Sequence, residues 1–272
     1  MSLPPNPGFD ASPPLLDPQI PPPPPAAVPD ENPPWTGWDV AQIVVLTIGS
    51  VFVLVLATAF AAHRLFYPRA PFMDVAAYPL VALSAQLLAY LVVLVFMYFV
   101  VARDPGEKFF RALRWNWPRN WSVYVMAGVA LAIGLQLFAH FLPMPKDLPV
   151  DRYFQTTRQA WVFSIFGVTF APLMEELFFR GFLYPVLARR MGTVAAVVVT
   201  AMAFSLIHAS QLGRAWAPVL VIFIVGLVLT ITRAVTKSVA AGLLIHAAYN
   251  GTLTLAMFVG THGFRNMERL TQ

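Results

Sequence analysis

Cysteine is absent from all 272 residues. Disulfides, thiolate metal sites, iron–sulfur clusters and a thiol nucleophile are therefore excluded. Charge is scarce as well. Asp, Glu, Lys and Arg make up 11% of the chain, whereas a soluble domain carries roughly a quarter. The hydrophobic share is 58% and the mean hydropathy is +0.66, so little of the surface can face water. Uncharged runs extend from Val40 to Ala62 and from Val75 to Ala102, longer than the roughly 20 residues that cross a hydrocarbon core. The pI near 9.7 does not point to nucleic acid, because the basic residues lie in short stretches between apolar runs, as in membrane proteins generally.

Residues 1–37 differ in kind from the rest. They hold 14 of the 25 prolines, including the run Pro21 to Pro25, and neither Lys nor Arg. Proline fixes φ and removes a donor, so an extended, disordered tail is expected there. Seven apolar segments follow, at 40–62, 76–102, 122–142, 159–188, 192–209, 215–232 and 238–260. Backbone amides in lipid must be satisfied within the chain, so the expected fold is an all-α membrane bundle of about seven transmembrane helices enclosing a polar cavity, spanning 38–272. Between the second and third segments, Arg103 to Trp121 mixes basic and aromatic residues, a composition suited to the membrane–water interface.

Ionisable groups inside such segments are costly and face a cavity or one another. Few are present. The fourth segment carries Glu175, Glu176 and Arg180 in FAPLMEELFFRG, the fifth carries His208 four residues after Phe204, and the seventh carries His246 and Asn250. Residues four apart share a helical face, while neighbours diverge by about 100°. Arg180 is thus placed to pair with Glu176, and Glu175 points elsewhere. His246 and Asn250 present one polar face, and Phe204 sets an aromatic wall beside His208.

Absences narrow the chemistry. No Gly-x-Ser occurs, the apolar segments lack aspartate, and there is no HExxH, which disfavours a serine site, a paired-aspartate site and the usual helical zinc pair. Ser205 is expected to bond back to its own helix. What remains is a carboxylate with imidazoles able to activate water. Glu175 can serve as base, His208 can share the water or carry its proton to a leaving amine, and His246 and Asn250 can donate to a developing oxyanion. Peptide hydrolysis is coherent with this set.

In order, Glu-Glu-x-x-x-Arg (Glu175, Glu176, Arg180), Phe-x-x-x-His (Phe204, His208) and His-x-x-x-Asn (His246, Asn250) resemble the motifs of the CPBP family of intramembrane glutamic endopeptidases. That family includes CAAX prenyl proteases and bacterial abortive-infection relatives. The resemblance spans about Trp161 to Gly260. It implies catalysis by Glu175 assisted by His208, an oxyanion site from His246 and Asn250, and support from Glu176, Arg180 and Phe204. It further implies no cofactor, a peptide or protein substrate with prenylation left open, membrane lipids as surroundings and a bacterial plasma membrane as location. Two other readings stand beside it. One is a zinc-dependent hydrolase using Glu175, His208 and His246 as ligands. The other is a non-catalytic binding, immunity or scaffold protein on the same fold. A transporter is disfavoured because the polar groups cluster in one half of the chain.

Overall fold

The computed structural model describes residues 1–2 and 31–266. Most of the expected proline-rich tail, including Pro21 to Pro25, lies outside the described residues. Within them the chain is helical, with no strand, and six helices are long and apolar enough to cross a membrane. Helix α1 runs Gly37–Leu65, α2 Phe72–Ala77, α3 Pro79–Ala102, α4 Phe109–Ala112 and α5 Trp121–Ala139. A 3₁₀ turn at Pro149–Phe154 leads to α6 (Thr157–Val168) and α7 (Phe170–Glu176). A π-helical stretch, Leu177–Leu183, joins α7 to α8 (Tyr184–Met191). Then come α9 (Thr193–His208), α10 (Trp216–Thr236) and α11 (Val239–Gly260). The chain is an integral, multi-pass membrane protein. The shorter α9, at 16 residues, accompanies the six long spans as a seventh apolar helix.

Local chemistry accounts for the helix ends. Thr36 caps α1 in a reciprocal box with Asp39, which satisfies two otherwise orphaned donors. The helix therefore begins three residues before the uncharged run and takes in Asp39, which pairs with Arg103 at the end of α3. Pro79 occupies the first position of α3, where its missing N–H costs nothing. Ser238 caps α11 through the amide of Ala241 at 3.1 Å. Gly192, at φ +80°, turns α8 directly into α9 in a conformation that L side chains rarely adopt.

The fourth apolar segment is not a continuous α-helix. Pro172 lacks an N–H, and its ring crowds the carbonyl four residues earlier. The break falls at that place, between Val168 and Phe170, with Thr169 at φ −117°, ψ −71°. Pro185 likewise cannot continue the ladder from above, and the π-helical stretch precedes it. Such bulges mark functional positions in many helices. Here the bulge begins one residue after Glu176.

Outward faces are apolar: Val45, Ile48, Phe52, Val53 and Phe60 of α1 and Leu91, Tyr98 and Phe99 of α3 are exposed. In water such a surface would associate; in lipid it is solvated. The polar groups are inside instead. Helix α1 packs on α3, α5 on α11, and α9 on α10. Phe110, Trp117 and Trp121 of the interfacial stretch are exposed, whereas Leu113 within it is wholly buried in the core formed by Met97, Leu177 and Phe182.

The last residues of the expected tail are held against the bundle. Trp35 is buried, donates its indole N–H to the Phe182 carbonyl at 3.0 Å and lies 4.4 Å from the Phe182 ring. Glu31 is also buried and accepts two bonds from Arg233, at 2.8 and 3.1 Å, with Arg114 and Lys237 each 3.5 Å away. Arg189 donates to the carbonyls of Pro33 and Trp35.

Candidate active site

The three motifs, separated by up to 75 positions in sequence, converge at the centre of the bundle. Glu176 and Arg180 are fully buried and paired at 2.9 Å, one turn apart, as the shared face required. Arg180 also donates to the Gly226 carbonyl at 3.1 Å and to Thr230 at 3.3 Å. Its guanidinium stacks over the Phe204 ring, 4.5 Å from the centroid. A buried cation needs such a full set of partners, since leaving one donor bare costs the desolvation energy of that group. Phe204 also lies 4.9 Å from the His208 ring and 5.7 Å from the His246 ring. One aromatic side chain thus separates the structural cation from both imidazoles.

Glu176 has a second partner that helical spacing did not indicate. His246 Nδ1 lies 3.0 Å from the same Oε1 that accepts from Arg180. A carboxylate held by a guanidinium only accepts, so Nδ1 carries the proton and donates. His208 Nδ1 is 2.8 Å from the Phe204 carbonyl, also an acceptor only, so the same tautomer follows. Both histidines therefore turn Nε2 inward. His208 Nε2 is 3.7 Å from Glu175 Oε1, and His246 Nε2 is 3.6 Å from Glu175 Oε2. The Glu175 carboxylate sits between two imidazoles, one beside each oxygen.

The two neighbouring glutamates differ in access. Glu176 has 0% side-chain exposure, and Glu175 has 16%. The exposed part of Glu175 faces a cavity of about 380 Å³, which His208, His246, Asn250, Phe204, Gln86 and Tyr90 also line. Asn250 Nδ2 donates to the Gly167 carbonyl at 2.7 Å, which uses one of its two amide protons and leaves one for another acceptor. Ser205 bonds back to Met202 at 2.9 Å, away from the histidines. His140, near the end of the third apolar segment, is exposed at the end of α5 and takes no part.

The close packing of Glu176 depends on Gly242 of α11. A Cβ at that position would stand 2.6 Å from Glu176 Oε2, too near for any side chain without displacement of the carboxylate. That oxygen is buried and has no hydrogen-bond partner among the described residues.

Gln86, Tyr90 and Gln211 were not singled out by the sequence, although all three line the cavity. The signal was present in α3, where, in a run whose other polar side chains are Ser84 and Tyr98, Gln86 and Tyr90 stand one turn apart. Neither is charged near neutral pH, so a search for ionisable groups passes over both. Among the described residues, no group of three or more His, Asp or Glu is arranged to hold a metal ion.

Fold and site together define a polytopic helical membrane protein with a Glu/His/Asn centre in its interior. Residues 157–252 match the model of a protein family described as type II CAAX prenyl endopeptidase Rce1-like. The match agrees with the motifs and supports a likeness of this part of the chain to the CAAX protease (CPBP) family of intramembrane proteases. The match starts four residues before, and stops eight residues before, the ends of the segment over which the motifs resemble the family. It contains every motif residue. No curated protein and no solved structure matches the chain.

Proposed function

We propose that the protein hydrolyses a peptide bond with a water molecule activated by Glu175, without a metal, in the plasma membrane of a bacterium. The observation that carries this reading is the Glu175 carboxylate standing between His208 Nε2 and His246 Nε2, at 3.7 and 3.6 Å, on the wall of a cavity. A water bound there meets a carboxylate base and an imidazole at once. Glu175 takes one proton as the water oxygen attacks the scissile carbonyl. The resulting tetrahedral oxyanion accepts from the free amide proton of Asn250 and from His246, whose Nε2 donates when the ring is protonated. His208, with Nδ1–H fixed by the Phe204 carbonyl, receives on Nε2 the proton that Glu175 took from the water and delivers it to the departing amine as the C–N bond breaks, which returns Glu175 to a carboxylate. Donors fixed before the charge develops need no reorganisation, which is the main source of their effect.

A second cavity, of about 330 Å³, adjoins the first and is walled by Val44, Ile48, Met97, Met174 and Phe178. Its apolar lining supports a substrate with a large apolar substituent, such as a prenyl group, next to the cleaved peptide. The test is cleavage in reconstituted liposomes of a farnesylated CAAX peptide and an unprenylated control, by the wild type and by Glu175→Gln, each with and without chelator. Cleavage by the wild type alone, unaffected by chelator and preferring the farnesylated peptide, is the expected outcome. Equal cleavage by both proteins would remove Glu175 from the mechanism. Loss of activity on chelation would replace this mechanism with a zinc site on Glu175, His208 and His246.

A further inference from the structure

We propose that Gln86 and Tyr90 of α3 bind the backbone of the substrate peptide beside the scissile bond, a role that rests on the peptidase reading above. Both residues lie outside the segment that matches the protease family, so their place in the site comes from the fold of this chain. The two cavities share five lining residues: Gln86, Tyr90, Glu175, His208 and Gln211. Three of these are neutral polar side chains, and they stand at the junction where the polar cavity meets the apolar one. Any peptide reaching from one cavity into the other passes between α3 and Glu175.

Such a peptide must be extended to expose the bond to attack, and its N–H and C=O groups leave water on entering. An unpartnered amide in an apolar environment costs several kcal/mol, so the walls must supply donors and acceptors. On the Glu175 side the polar groups are committed to the reaction and to one another. On the α3 side, a glutamine amide offers both an acceptor and two donors, the complement of a peptide unit, and a tyrosine hydroxyl adds a donor. Tyr90 is set in direction by its ring, which stacks on Phe166 at 5.8 Å and 13°. It stands one turn from Gln86, and both line the same two cavities as Glu175. The pair is a preformed polar edge facing the carboxylate. In the bound state Tyr90 donates to a substrate carbonyl, and the Gln86 amide oxygen accepts the adjoining N–H.

The experiment measures binding of a fluorescent farnesylated CAAX peptide to liposome-embedded protein in the Glu175→Gln background, where turnover is blocked. A second peptide carries an ester in place of the backbone amide next to the scissile bond. Gln86→Leu and Tyr90→Phe are each expected to raise Kd about five- to tenfold for the amide peptide, the weight of one neutral hydrogen bond. With the ester peptide, Gln86→Leu should have no further effect, because the N–H it would meet is gone. Tyr90→Phe keeps the ring on Phe166, so a change in its Kd reports the hydroxyl. Unchanged Kd in both variants, or equal weakening of amide and ester peptides by Gln86→Leu, overturns the proposal. Cleavage by the wild type is measured in parallel. Binding that depends on α3 without cleavage would overturn the peptidase reading and sustain this one; cleavage with binding indifferent to α3 would do the reverse.

Discussion

His246 Nδ1 lies 3.0 Å from Glu176 Oε1, the oxygen that also accepts from Arg180 at 2.9 Å. Through this contact the structural ion pair orients an imidazole of the proposed site. Glu176→Gln keeps an acceptor for Nδ1–H and removes the counter-charge of a wholly buried Arg180. Its main effect is therefore expected on stability, a loss of about 3–5 kcal/mol as for other broken buried pairs. The accompanying fall in kcat should be smaller than that of Glu175→Gln. Thermal unfolding in detergent and cleavage kinetics on the same preparations check both parts.

Gly242 gives a sharper test of the same contact. In Gly242→Ala the added methyl would meet Glu176 Oε2 at 2.6 Å and push the carboxylate away from His246. Overpacking of this kind costs about 1–3 kcal/mol. Cleavage should fall by more than tenfold. An alanine variant with wild-type kinetics would show that the position of Glu176 does not matter to the reaction.

Phe204→Leu separates the side chain of Phe204 from its backbone. The leucine loses the stacking of Arg180, worth about 2 kcal/mol when desolvated, and the melting temperature should drop. His208 keeps its orienting bond, because that bond is made to the backbone carbonyl of residue 204. Activity at a temperature well below the melt is therefore expected within tenfold of wild type. A loss as large as that of His208→Ala would assign the ring a direct part in the chemistry.

Glu31 is expected to be a stability determinant far from the site. Glu31→Gln takes the carboxylate from Arg233, which is 1% exposed, and should cost about 3–5 kcal/mol. Combining Glu31→Leu with Arg233→Met should recover part of the loss, since apolar replacement of a buried pair is often neutral or stabilising. Denaturation of the single and double variants measures this, with peptide cleavage as a control expected to follow the folded fraction.

The site was legible where spacing along one helix decides a contact. The Glu176–Arg180 pair, the exclusion of Ser205 and the aromatic wall at Phe204 all follow from positions three or four apart. The link between His246 and Glu176 was not legible, because it joins α11 to α7 and depends on how closely two helices approach over Gly242. The same holds for Gln86 and Tyr90, which reach the cavity because α3 packs against α6, where the Tyr90 ring stacks on Phe166. Glu31 and Trp35 read as part of a proline-rich tail by composition, yet they are anchored by partners more than 140 positions away.

By itself the sequence determined the medium, most of the helices and the candidate reactive groups. Lipid leaves a backbone no alternative to internal hydrogen bonds, and a charged side chain in lipid must have a purpose or a partner. Tertiary structure alone decided that an imidazole stands beside each oxygen of Glu175, that His246 meets Glu176, and what the opposite wall offers a peptide. Those outcomes depend on how closely neighbouring helices approach one another. Such distances are set by packing between segments remote in sequence, and no local periodicity encodes them.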